Sequence, residues 1–454
     1  MLFLFASSAK TAFESIFFGL LHTFSEKEVC KTEKLSFLLD SLSKIIWGPA
    51  LLVLVLGAGA FLTAATGFFP IRKAGAVIRN TLGRIFKSKS AFAATATALG
   101  ATVGTGNIIG VASAIALGGP GAVFWMWVGA FFGMMLKFAE AALAVKYRGG
   151  AMKYIEKAFG GKFFAAVWCI CCVLASFGGG NMVQSNAAGA VFYKFFGISP
   201  LAIGMILAVL TALVLFGGAK TVIRTSSYLV PFMAAIYVAG CFGVLFICRE
   251  GLLSALESIF ASAFEPISIG GGISGILVSE ALRVGIAKGT FTHEAGMGSA
   301  SLAHAESGEK NPLLQGCWGI VEVFIDTIFV CTLTALVILS SGGKFTENSA
   351  ADAFSAIFGM GGRIFLCVSM FLFALAAIIG WAFYGEKALE NITKSKISTN
   401  LYRFFFCSAI IFGSAAKLPL IWSITDIFNG LMVFPNLAAI ILLSPEVIKI
   451  TKGK

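Results

Sequence analysis

Charge is scarce in this chain: Asp, Glu, Lys and Arg make up 12% of its 454 residues, about half the share of a soluble domain. Histidine is scarcer still. His22, His293 and His304 are too few and too scattered to assemble a catalytic constellation. No G-x-x-x-x-G-K-[ST] phosphate loop occurs, so nothing points to ATP, and no H-E-x-x-H motif is present. Gly104-x-Gly106-x-x-x-Gly110 has the wrong spacing for a dinucleotide turn and follows no strand. What the chain has instead is 58% apolar residues, 45 Phe and 52 Gly, with a mean hydropathy of +0.91. That excludes a water-soluble enzyme, a disordered chain, a coiled coil and a disulfide scaffold. The class is a polytopic all-α protein of the lipid bilayer, because repeated apolar runs of about 20 residues fit its hydrocarbon core. The net charge of +12 is no nucleic-acid footprint here. Nine of the ten cysteines fall in or beside apolar runs, and Cys169-x-x-Cys172 reads as packing rather than a metal or redox site.

Residues 1–44 read as an amphipathic lead-in. Eleven apolar segments follow, near 45–66, 91–118, 121–145, 163–193, 200–217, 222–248, 272–305, 314–340, 362–385, 401–416 and 419–443, and 444–454 form a tail. Lys and Arg crowd into alternate loops, most densely 67–90 and 146–162, with the tail on the same side. Such a bias marks the cytoplasmic face. The expected topology is therefore C-terminus inside and N-terminus outside, in a bacterial cytoplasmic (inner) membrane. Segment 249–266 spaces its apolar residues as an interfacial helix on the outer face.

Two segments are interrupted in mid-span by glycines and polar residues: Gly100-Ala-Thr-Val-Gly-Thr-Gly-Asn-Ile-Ile-Gly110 and Thr290-Phe-Thr-His-Glu-Ala-Gly-Met-Gly-Ser-Ala300. Irregular backbone at membrane depth is tolerated only where it is buried in protein or lines a cavity. With the first segment (45–66) set aside as an extra helix, 91–248 and 272–443 make two sets of five, each opening with an interrupted helix. Five is odd, so the sets have opposite topology. Matching breaks in inverted halves point to the site of a secondary transporter. A half-helix starting near Asn107 would aim N–H groups and a positive dipole end at a substrate carboxylate. The half-helix ending near Thr102 would offer free carbonyls to a cation.

At these residues the chain resembles the alanine or glycine:cation symporter family, sodium-coupled carriers of the amino acid–polyamine–cation superfamily. The likeness runs from about 45 to 450. It is carried by Ala101-Thr-Val-Gly-Thr-Gly-Asn107, Leu117-Gly-Gly-Pro-Gly-Ala-Val-Phe-Trp-Met-Trp127, Lys137-Phe-Ala-Glu140, Phe177-Gly-Gly-Gly-Asn-Met-Val-Gln184, Glu294-Ala-Gly-Met-Gly-Ser-Ala300, Gly380-Trp381, and Asn429-Gly-Leu-Met432 with Pro435-Asn436. The resemblance implies a leucine-transporter-type five-plus-five inverted repeat with one extra leading helix, importing a small neutral amino acid with sodium and without a cofactor. It places Thr105, Gly106 and Asn107 near the substrate carboxylate, with Gln184 as an amino or carboxylate contact. Phe291, Gly296, Met297 and Gly298 line the substrate, and Trp381 closes the pocket. Gly100, Thr102 and Val103 turn carbonyls toward sodium, joined by the Asn107 side chain and Thr292.

The pattern also departs from the family. Ala376 and Ala377 stand where a Ser-Thr pair would supply hydroxyls to a second sodium site, and His293 stands where Asn is expected. An imidazole beside Glu294 opens the alternative of proton coupling through His293 or Glu294. Among the other ionisable residues, Asp326 is a candidate sodium ligand, sharing a face with Glu322 by its i, i+4 spacing. Lys137 and Glu140 read as an ion pair within one helix. Asp426 and Asn429 read as packing polar groups, and His304 as solvated near the inner mouth. A channel is the competing class; paired inverted breaks build one occluding site rather than an open pore. The topology has a direct check. In intact cells an external thiol reagent should label a cysteine at position 257 and spare one at position 87, and the opposite pattern would invert the assignment.

Overall fold

The computed structural model describes residues 38–453 except 40, 44, 86–88, 265–279, 344 and 417–418. The lead-in over 1–44 lies outside them apart from a few residues, as do Glu265 and the opening, 272–279, of the seventh apolar segment. The described residues are helical throughout, with no strand. Beside two short helices at Phe69–Arg72 and Ala74–Asn80, the helices in chain order are α1 Pro49–Ala65, α2 Lys89–Thr102, α3 Val111–Gly118, α4 Gly121–Tyr147, α5 Ala151–Phe159, α6 Phe163–Phe177, α7 Val183–Phe196, α8 Pro200–Leu215, α9 Ala219–Ile247 and α10 Leu252–Ser262. There follow α11 Glu280–His293, α12 Ser301–Ala305, α13 Pro312–Val323, α14 Thr332–Ser340, α15 Ser349–Phe358, α16 Met360–Ile392, α17 Lys396–Ala415, α18 Pro419–Leu442 and α19 Ser444–Thr451. Wider π-type turns at Gly106–Gly110, Gly178–Met182 and Phe324–Cys331 lead into α3, α7 and α14.

Six of these are long and apolar enough to cross a bilayer: α4, α6 with α7, α9, α13 with α14, α16, and α18 from Ile421. A seventh candidate is α2 with α3, which bend by 54° at the break. Local signals explain where helices start. Pro stands in the first turn of α1, α8 and α13, where its missing N–H costs nothing, and Asn311 caps α13 by accepting from Leu313 N–H at 3.0 Å.

The core centres on α4. Its Lys137, Phe138 and Glu140 are fully buried, together with Tyr154, Trp168 and Tyr384 on neighbouring helices. The periphery is the reverse of a soluble surface: Leu213, Phe232, Phe246 and Phe404 are 70%, 59%, 74% and 62% exposed. Such a continuous apolar exterior on α8, α9 and α17 is a lipid-facing one.

The Phe177-to-Gln184 motif shows how sequence sets close packing. A β-carbon at Gly178 would lie 1.9 Å from Thr425 Oγ1, and one at Gly180 would lie 2.1 Å from Trp381 Cγ. Both glycines are thus required for α18 and α16 to approach this turn. Gly180→Ala should lower the melting temperature in detergent, since overpacking a fitted core costs about 1–3 kcal/mol. Gly57→Ala, which meets nothing within 4 Å, should melt with the wild type. Equal melting of both variants would contradict this packing.

Candidate transport site

Residues 103–105 separate α2 from the π-type turn that leads into α3, and they hold the first break. The Thr105 N–H donates to Gln184 Oε1 at 3.0 Å, and the Thr105 hydroxyl donates to the same oxygen at 2.8 Å. Gln184 Nε2 donates to the Gly179 carbonyl at 3.1 Å. The backbone donor fixes which amide atom is oxygen, so the remaining capacity of Gln184 is its second N–H. Gln184 thus has an N–H left to offer, while its Oε1 is already shared by two donors.

Asn107 turns away from the cavity. Its Oδ1 accepts from Gly104 N–H at 3.0 Å, and its Nδ2 donates to Asp326 Oδ1 at 2.8 Å. Asp326 Oδ2 accepts from the Thr327 hydroxyl at 2.7 Å, and Thr327 lies 3.3 Å from the Thr292 hydroxyl. Asn107, Asp326 and Thr292 therefore form one buried oxygen-rich cluster with Thr327. Glu322 and Asp326 take different partners: Glu322 meets Lys137 and His304, and Asp326 meets Asn107 and Thr327. Ala376 and Ala377 pack on the first break: Ala377 Cβ would lie 3.2 Å from a β-carbon at Gly104, and the Ala376 carbonyl 3.6 Å from one at Gly100. The hydroxyls absent from the sequence are thus absent at the break itself.

Residues 294–300 form the second break, between α11 and α12. Glu294 is left-handed at φ 53°, and Gly296 and Gly298 have φ 95° and 82°. The N–H groups of Gly296 and Gly298 donate to Glu140 Oε1 at 2.8 and 3.0 Å, and Asn436 Nδ2 donates to the same oxygen at 2.8 Å. This corrects two expectations. Gly296 and Gly298 present their N–H groups to a protein carboxylate rather than to substrate. Glu140 serves the break, while Lys137 pairs with Glu322 at 3.0 Å. Around them Tyr154 donates to Asn436 at 2.5 Å, Trp168 donates to the Met297 carbonyl at 2.9 Å, and Ser299 and Trp381 donate to Glu294 at 2.6 and 3.0 Å.

His304 is fully buried, not solvated, and lies 2.9 Å from Glu322 and 2.7 Å from Gln315. His293 Nδ1 accepts from Ala295 N–H at 3.1 Å. Its imidazole therefore caps the break as the neutral tautomer, with Nε2 packed beside Gly133.

Between the breaks lies a cavity of about 20 Å³, lined by Thr102, Gly106, Gln184, Phe291, Thr292, Glu294, Met297, Trp381 and Asn429 among others. One buried water needs about 10–15 Å³ by this measure, so the walls are nearly closed. Gly106, Gln184, Phe291 and Thr292 also border a vestibule of about 450 Å³ that reaches Lys288, Glu347, Trp422 and Asp426. The Phe291 and Trp422 rings, 5.7 Å apart, stand in its wall beside the cavity. Of the expected residues, the structure brings Thr102, Gly106, Gln184, Phe291, Thr292, Met297 and Trp381 to the cavity. It places Thr105 in the vestibule wall. The residues missed in sequence are Glu140 and Asn436, although both sit in the quoted motifs.

A helical bundle whose interrupted helices enclose a small buried cavity is the architecture of a multi-pass carrier. The comparisons agree: the profile of the sodium:alanine symporter family matches residues 32–453, and the chain belongs to that family. It is 39% identical over 442 residues to the sodium/alanine symporter AgcS of Methanococcus maripaludis, covering 92% of this chain and 96% of that one. It is 36% identical over 421 residues to the probable sodium/glutamine symporter GlnT of Bacillus subtilis, covering 89% and 87%. The crystal structure of MhsT in complex with L-phenylalanine shares the leucine-transporter fold at a TM-score of 0.55 and 16% identity, covering 79% of this chain and 97% of that one. The protein is a cation-coupled amino-acid symporter rather than an enzyme.

Removing the Glu140 carboxylate would strand three buried donors, each worth about 1–3 kcal/mol when unsatisfied. Glu140→Ala should fail to yield a stable protein or melt far below the wild type, whereas Glu140→Gln, which keeps an oxygen acceptor, should come close to it. Equal stability of the two variants would remove Glu140 from this role.

Proposed function

We propose that this protein imports alanine or glycine with sodium by alternating access, across a bacterial cytoplasmic membrane that it crosses eleven times with its N-terminus outside. In this reading 91–248 and 272–443 are the two inverted repeats. The observation that carries it is the cavity between the two breaks, bordered by the donor end of the first break and adjoined by an oxygen-rich cluster. The substrate carboxylate meets the Gly106 backbone and the free N–H of Gln184. Sodium takes oxygens from Asp326, Thr292 and Asn107 with the carbonyls of Gly100, Thr102 and Val103. Phe291, Met297 and Trp381 limit the side chain.

Two features support the finer choices. Relatives of similar identity are named for alanine and for glutamine, and a cavity of about 20 Å³ favours the smaller solute. Sodium is favoured over protons because Asp326, Thr327, Thr292 and Asn107 converge, while the His293 imidazole already accepts a backbone hydrogen bond and stands outside the cavity lining.

The test is uptake of labelled alanine into proteoliposomes holding the full chain. An inward sodium gradient should drive accumulation, and glycine should compete while phenylalanine does not. Asp326→Asn should raise the sodium concentration for half-maximal uptake at least tenfold. Uptake driven by a proton gradient without sodium would overturn the coupling assignment, and competition by phenylalanine equal to that of alanine would overturn the small-pocket assignment.

A further inference from the structure

Asn429 opens one of the quoted motifs, and the reading above gives it no part. It lies on α18, is 2% exposed and lines the cavity. Its Oδ1 has no hydrogen-bond partner among the described residues. Its amide stands beside Gly179, with Nδ2 3.6 Å from where a β-carbon would be. A buried amide oxygen left without a donor is costly, and this one borders the space a solute would fill.

An amino acid brings two charged ends. Gln184 Oε1 already receives two donors from Thr105, so this side offers N–H groups and suits the carboxylate. The Thr102 hydroxyl points back to the Ala98 and Leu99 carbonyls at 3.3 and 3.4 Å. The ammonium needs acceptors, which the Gln184 side does not supply. Glu294 is the one ionisable residue among those that line the cavity, and each of its oxygens receives a single donor, from Trp381 or Ser299. A carboxylate oxygen has room for a second.

We propose that the substrate's ammonium group is received by the amide oxygen of Asn429 and the carboxylate of Glu294, making Asn429 a substrate-binding residue on the last long helix. This rests on the amino-acid reading given above and adds the direction in which the zwitterion lies: carboxylate toward Gln184 and Gly106, ammonium toward α18 and the second break.

The experiment uses proteoliposomes of the full chain and compares wild type, Asn429→Leu, Asn429→Ala and Asn429→Asp. Two solutes are followed: labelled alanine, and propionate as an inhibitor that has the carboxylate and methyl but no ammonium. The Leu and Ala variants should raise the KM for alanine at least tenfold with the maximal rate within about twofold, while propionate inhibits them as it inhibits the wild type. Asn429→Asp, which keeps an oxygen acceptor, should recover most of the alanine affinity. If alanine and propionate weaken by the same factor, Asn429 supports the cavity without touching the ammonium and the proposal is overturned. An unchanged KM for alanine in both apolar variants also overturns it. A wild type without saturable alanine uptake would instead refute the amino-acid reading on which the proposal stands.

Discussion

A backbone that leaves its helix inside a membrane must find partners for every exposed N–H and carbonyl, because lipid supplies none. The second break meets this demand with one oxygen. Glu140 Oε1 receives the N–H groups of Gly296 and Gly298 and the amide of Asn436, and the Asn436 amide reaches back to the Gly296 carbonyl at 2.8 Å. Helix α4 thereby fixes the path of the chain from α11 to α12. That path in turn sets Glu294, Met297 and the far wall of the cavity.

The first break is treated differently. Among the described residues, no buried carboxylate accepts from its N–H groups. A neutral amide, Gln184, holds Thr105, and the Asp326 carboxylate lies on the side of Asn107 away from the cavity. An anion at a helix N-terminus is stabilised by the dipole and the free donors. At the second break that anion is the protein's own Glu140. At the first, in the reading proposed above, the donors are left for the solute's carboxylate.

Some of this was legible in the sequence. The breaks announce themselves because Gly100–Gly110 and Thr290–Ala300 place glycines and polar groups where apolar residues would otherwise run. Gln184, Phe291, Thr292, Met297 and Trp381 follow from their motifs. Glu140 was masked by Lys137 three residues earlier, a spacing that also suits an ion pair within one helix. Only the packing of α4 between α11 and α13 shows that the two side chains part, one to the break and one to Glu322. The i, i+4 spacing of Glu322 and Asp326 does not reveal that the two carboxylates take different partners, Lys137 and His304 for one and Asn107 and Thr327 for the other. His304 looked solvated because its loop is polar, yet Gln315 and Glu322 from α13 enclose it.

Magnitudes separate what can move from what cannot. Breaking the buried Lys137–Glu322 pair by loss of one partner would cost about 3–5 kcal/mol, and the three bonds on Glu140 act together. These tie α4, α12, α13 and α18 to the second break. Trp168 to Met297 and Trp381 to Glu294 add neutral and charge-assisted hydrogen bonds from α6 and α16, worth about 0.5–3 kcal/mol each, beside the packing of α6 along α18 and the Lys387–Glu306 pair at 3.0 Å. The two tryptophan hydrogen bonds lie on the side of the cavity away from the vestibule. Both involve a tryptophan whose N–H can return to its acceptor, and Glu294 is held in left-handed backbone at this joint. These hydrogen bonds therefore fall at the cavity wall, which Glu294, Met297 and Trp381 all line.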